Sequence, residues 1–275
     1  MTAFMALVRK QMMETRWFLG LVSLAMGGLG WLGVYQTMRY LAWVQEDQAN
    51  RMMARGMMRF MGGPSFDNSV LALEIARWNF PVVPLLVLSW AIARGSAAVS
   101  GELERGTLDL AMSRPMSRWT YLMAQVVSSL LGLTFMMLVL WLSNLLANRF
   151  YGIEEMPSAL GVLRPCVNIF ALGASVFGYT LLFSSFDVVR WRASLLGSAI
   201  TIAGLVGYSV ATADEFKERW GWLEWLTVFR GYAPVEAAVK AEQFGPNVGA
   251  LCGVCAAGII IAYLFFQGRD LPANS

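Results

Sequence analysis

The residues with the greatest capacity for polar chemistry lie in Ser100-Gly101-Glu102-Leu103-Glu104-Arg105-Gly106-Thr107-Leu108-Asp109, followed by Ser113-Arg114-Pro115-Met116-Ser117-Arg118. Carboxylates and guanidinium groups this close suit charge-assisted contacts with another macromolecule. They do not suit acid–base catalysis: the chain has no histidine, which removes the commonest general base and metal ligand and any Ser-His-Asp set. No G-x-x-x-x-G-K-[ST] loop is present, so the chain does not cradle nucleotide phosphates in that way. Ser184, Ser185 and Asp187 lack a suitable base and read as a helix end and turn. Cys252-Gly253-Val254-Cys255 has redox-like spacing, but it lies in an apolar run where thiols stay protonated. With Gly249, Ala250, Gly253, Ala256, Ala257 and Gly258 around them, these thiols fit close helix packing. Met52, Met53, Met57, Met58 and Met61 admit two readings, a thioether site for Cu(I) and apolar packing. Without histidine or a nearby cysteine, packing is favoured.

The elements that position these residues follow from composition. Of 275 residues, 57% are hydrophobic and 14% charged, with a mean hydropathy of +0.54. A soluble domain carries about 25% charged residues, so this chain belongs in a bilayer. A net charge of +3 is too small to argue for nucleic acid, and an anionic membrane surface accounts for it. The expected fold is an all-α integral membrane protein with spans at about 17–35, 80–99, 119–146, 166–186, 193–211 and 248–266. No signal-peptide cleavage pattern precedes the first span, so it is expected to be retained. Cys166, Cys252 and Cys255 are too few and too apolar in context for a disulfide framework.

Residues 1–16 are expected to form an amphipathic interfacial helix, with Phe4, Leu7, Val8 and Met12 on one side and Arg9 and Arg16 on another. Continuation of the first span into water is the alternative. The two long outer connections are 36–78 and 212–246. The first carries Arg51, Arg55 and Arg59 opposite Ala49, Met53, Met57 and Met61, as a surface helix would. In the second, Trp222, Trp225, Leu226 and Phe229 share a helical face that suits the membrane surface. Arg94 is expected to snorkel to the interface, and Pro115 to mark the end of a short helix about two turns long. Six spans put both termini on one side. Arg9, Lys10, Arg16, Arg105, Arg114, Arg118, Arg190, Arg192 and Arg269 fall in short inner stretches, which favours a cytoplasmic location for both.

The run Ser100-Gly101-Glu102-x-Glu104-Arg105-Gly106-Thr107-Leu108-Asp109-Leu110, with Ser113-Arg114-Pro115-x-Ser117-Arg118 after it, resembles the loop after the second span of type-2 ABC transporter permeases. Arg190-Trp191-Arg192-Ala193 and the stretch from Leu223-Glu224-Trp225-Leu226 to Tyr232-Ala233-Pro234 are similar to further parts of that family. The connection 36–78 is longer and richer in methionine than in a minimal member. The resemblance implies a permease subunit of a bacterial plasma-membrane exporter, without catalytic, cofactor or metal residues of its own. ATP and Mg would be bound by a separate ATP-binding cassette subunit. The coupling contact would be Glu102, Glu104, Arg105, Gly106, Thr107, Leu108, Asp109, Arg114 and Pro115, with Arg190 and Arg192 in a second cytoplasmic turn. The expected partners are that subunit, a second permease chain (identical or homologous) and membrane lipid. The nearly uncharged spans favour an amphipathic or lipid-like cargo. Two other readings stay open: a family member that passes force to an accessory protein, and a methionine-rich copper-handling membrane protein.

Overall fold

A computed structural model describes residues 3–46, 71, 74–75, 78, 82–108, 116–153, 157–239 and 241–269. Six long helices dominate them: α1 (Ala3–Glu46), α2 (Val82–Ser96), α3 (Arg118–Tyr151), α4 (Ala159–Phe186), α5 (Arg190–Thr212) and α6 (Ala241–Gly268). Each overlaps an expected span, and all six are long and apolar enough to cross a membrane. No strand occurs among the described residues. The chain is an all-α membrane protein. The methionine-rich stretch and Arg51, Arg55 and Arg59 lie outside the described residues.

α4 is the hub, with 72% of its most apolar stretch buried against 17% for α5 and 22% for α6. Between helices in lipid, small side chains and hydrogen bonds bring backbones together, because the surrounding tails are as apolar as leucine. Gly178 and Gly258 make the α4–α6 contact: a Cβ on Gly178 would lie 2.8 Å from the Cys255 carbonyl oxygen, and one on Gly258 2.5 Å from that of Gly178. Gly95 of α2 and Gly197 of α5 close on Thr180 of α4 from two sides, at 2.7 and 2.6 Å from the position of an added Cβ. Only part of the expected small-residue stripe in α6 is used. Cys255 is buried but Cys252 is exposed, and a Cβ on Gly249 or Gly253 would meet nothing within 4 Å.

Three expectations are corrected. No break separates an interfacial helix from the first span, since no glycine or proline lies between Ala3 and Phe18. The expected apolar stripe exists, but it packs on protein: Leu7 joins one core cluster and Met12 the other. At 44 residues, α1 is about 66 Å long. The Tyr35 ring lies beside that of Tyr151, the last residue of α3, at 5.9 Å between centroids, so Gln36–Glu46 runs beyond α3. Second, the end of the 36–78 connection belongs to the core. Ile75 and Trp78 are buried with Met26, Val83 and Met136, and the buried Glu74 accepts hydrogen bonds from Asn144 (3.0 Å) and Asn148 (3.1 Å).

Third, the 212–246 segment does not lie flat. Short turns at Lys217–Trp220, Gly221–Leu226 and Val228–Gly231 lead to Pro234–Val239. A Cβ on Gly204 would lie 2.9 Å from Thr227 Oγ1 and 3.6 Å from the Phe229 ring. Gly204 is eight residues inside the end of α5 at Thr212, about 12 Å down the helix. The segment therefore dips back along α5, and Phe229 enters the core. Asn168 pins it, donating to the Gly231 carbonyl (2.8 Å) and accepting from the Ala233 N–H (3.1 Å).

Because the α4–α6 contact is backbone on backbone, Gly178→Val is expected to destabilise the protein by about 3 kcal/mol. Gly207→Val, at a position with nothing within 4 Å, is the matched control. Thermal unfolding of the detergent-solubilised chain checks both.

Candidate functional site

The charged stretch begins where α2 changes its winding. Ala97–Gly101 forms a π-helical turn, followed by one α-turn at Glu102–Glu104. Such a turn shifts the backbone ladder and leaves groups in need of partners. Ser184 of α4 supplies one side: its Oγ accepts the N–H groups of Val99 (3.2 Å) and Ser100 (2.9 Å) and donates to the Ser96 carbonyl (3.0 Å). Tyr121 of α3 supplies the other, donating to the Ala98 carbonyl at 3.1 Å. Ser194 of α5 reaches Ser96 Oγ at 2.9 Å. Three helices thus grip one turn of a fourth. Ser184 was legible only as a helix end, and its signal is the run Gly95-Ser96-Ala97-Ala98, whose small side chains permit close approach.

Each described residue of the charged motif then has a local task. Glu102 is 3% exposed. Its carboxylate accepts from Arg105 Nη2 (2.7 Å) and Thr107 Oγ1 (2.5 Å), while Arg105 Nε donates to the Gly101 carbonyl (3.0 Å). Gly106 adopts φ +66°, a left-handed turn that disfavours any side chain, and Leu108 is buried in the core. Glu102 and Leu108 are therefore buried and Thr107 half-buried. Arg105 keeps 53% of its side chain exposed, and Glu104 and Gly106 are exposed as well. Asp109, Arg114 and Pro115 lie outside the described residues.

Glu104 reaches across to the second charged turn. Its Oε2 accepts the backbone N–H of Arg190 at 3.0 Å, the first residue of α5, whose N-cap Val189 has no side-chain acceptor. A carboxylate there satisfies an orphan donor and complements the positive end of the helix dipole. Gly101, Glu104, Arg105, Arg190, Trp191 and Ser194 line an open cleft of about 790 Å³. The two expected turns thus meet, except for Arg192, which leans over the Trp191 ring at 5.7 Å and does not line the cleft.

Arginines fasten the rest of this end. Arg118 Nη1 donates to the carbonyls of Phe266, Gln267 and Arg269 at 2.7–2.8 Å, and Arg269 donates to those of Ser185 and Asp187 at 3.0 Å. Cations at helix C-termini are favourable on both hydrogen-bond and dipole grounds. Arg94 does not snorkel. It is 6% exposed and donates to Gln11 of α1 (3.3 Å) and to Ser128 (3.0 Å) and Ser129 (3.2 Å) of α3. Protein hydroxyls and an amide take the place of interfacial water.

A six-span, all-α membrane protein whose two charged turns join at one end of the bundle is the class that fold and site define. The model of the ABC-2 family transporter protein matches residues 9–271, and the chain belongs to that family. It is a permease subunit of an ABC transporter, and the family associates with an ATP-binding cassette subunit. Comparison with curated proteins finds no match.

Ser184→Ala removes the acceptor of two buried N–H groups. It is expected to cost about 1–3 kcal/mol and to speed hydrogen exchange at the Val99 and Ser100 amides. Unchanged protection at those two amides, measured by exchange mass spectrometry, contradicts the assigned role of Ser184.

Proposed function

We propose that this permease subunit exports an amphipathic or lipid-like substrate across a bacterial plasma membrane, driven by ATP and Mg bound to the partner subunit. The end carrying Glu104, Arg105 and Arg190 faces the cytoplasm with both termini, as the short cation-rich turns favour. Two permease chains pair to enclose the pathway. The exposed apolar face of α5, with Leu195, Ile200, Ile202 and Val206, suits lipid or a second chain. The apolar, weakly charged spans support an amphipathic cargo.

The observation that carries the reading is the junction of Glu104, Arg105 and Arg190 at one exposed cleft, on backbone held by α3, α4 and α5. The partner's ionic contacts fall on Arg105, Arg190 and the free oxygen of Glu104, while Glu102 shapes the turn from within. When ATP binding moves the partner, the gripped turn carries α2 and the Glu104 cap carries α5, so displacement is shared among spans. This is a two-state element biased by a ligand bound elsewhere.

Arg105→Glu is expected to lower ATP hydrolysis and substrate movement by the reconstituted complex roughly tenfold, the loss of one charge-assisted contact. The thermal midpoint should fall as well, because Arg105 also pairs with the buried Glu102 carboxylate, so activity is normalised to the folded fraction. Glu102→Ala should lower coupling and the midpoint together, because it empties a buried site. Full coupled activity in Arg105→Glu contradicts the assigned coupling surface.

A further inference from the structure

The re-entrant segment encloses, with α4, α5 and α6, a second cavity of about 580 Å³ that the coupling reading does not use. Its lining includes Tyr179, Ile200, Trp225, Leu226, Arg230 and Asn247. The lining divides by chemistry. Ile200, Trp225 and Leu226 are apolar and 47%, 74% and 75% exposed, which in a membrane protein places them against acyl chains or another chain. Arg230 is the one cation among the lining residues. Its guanidinium carbon lies over the Trp225 ring, 3.0 Å from the centroid, and its Nε faces Glu224 at 3.4 Å. Its Nη1 is buried and has no hydrogen-bond partner among the described residues.

A buried guanidinium nitrogen without an acceptor is costly. The segment that holds it sits about 12 Å inside the end of α5, and the Arg230 side chain as a whole is 36% exposed, so a ligand in the cavity can reach the guanidinium. We infer that this cavity binds a membrane lipid with an anionic phosphate headgroup. The phosphate takes the free donor of Arg230, with Thr227 and Asn247 nearby in the lining, and the acyl chain lies along Ile200, Leu226 and Val254. Trp225 covers the cation and shields the contact from competing water. An anionic headgroup fits better than a zwitterionic one, because Arg230 is the one cation in the lining and Glu224 is not part of it: a choline group would add a second cation beside the guanidinium with no carboxylate inside the cavity to meet it. The site is independent of what the pathway carries.

The test is native mass spectrometry of the full chain in detergent, titrated with palmitoyl-oleoyl phosphatidylglycerol, the phosphatidylcholine analogue, or soluble glycerol phosphate. One phosphatidylglycerol should be retained about tenfold more strongly than phosphatidylcholine, and millimolar glycerol phosphate should not displace it. Arg230→Gln should abolish the preference, and Ile200→Trp, on the exposed wall, should weaken retention of both lipids while the thermal midpoint holds. An undiminished preference for phosphatidylglycerol in Arg230→Gln overturns the inference, as does displacement by glycerol phosphate, which marks a free-anion site. Should Arg230→Gln unfold, full retention in Ile200→Trp overturns it instead. None of these outcomes bears on Arg105→Glu, so failure here and failure of the coupling reading are distinguishable.

Discussion

One turn of backbone sets the terms for the rest. A membrane interior offers no water to complete a displaced hydrogen-bond ladder, so every group freed by the π turn at Ala97–Gly101 needs a protein partner. Ser184 and Tyr121 meet that need from two different helices, and Gly95 and Gly197 let the helices come close enough for it. An irregularity that would weaken an isolated helix therefore becomes the point at which α2, α3, α4 and α5 are registered. The charged motif hangs from that point, and its geometry is inherited from it.

The same end shows how charge serves packing before it serves recognition. Glu102 closes its own turn, Glu104 completes α5, Arg118 completes α6 and Arg269 completes α4. The last three of these contacts join an ion to orphan backbone groups at a helix terminus. Exposed pairs of this kind are individually weak, yet they link the helices in a circuit, so a shift of one terminus alters the partners of the next. What remains for another protein is the portion not consumed this way: Arg105, the face of Arg190 and one oxygen of Glu104.

Much of the architecture was legible in the sequence because hydropathy reports helices that cross lipid, and all six are present. The junction was not legible, for reasons specific to each residue. Arg94 near a span end reads as an interfacial cation; its acceptors lie 83 and 35 positions away on other helices, beyond any local pattern. Glu102 and Glu104 are the same residue type two positions apart, and only tertiary structure sends one inward and the other to α5. Trp222, Trp225, Leu226 and Phe229 form an amphipathic face that suits a surface helix or a segment folded back beside α5. Small residues ahead of the motif were the usable signal, since Gly95-Ser96-Ala97-Ala98 marks a place where helices touch.

α3, with 34 residues, is about 51 Å long, already more than the roughly 40–45 Å of a bilayer with its headgroups. α1 stays level with the end of α3 at the Tyr35–Tyr151 pair and then adds eleven residues, Gln36–Glu46, or about 16 Å. That extension is not bare: Thr37 within it is fully buried and Tyr40 half-buried, so the helix keeps packing partners past the reach of α3. The bundle is therefore stepped, and the length of one helix sets how far its packed part extends on that side.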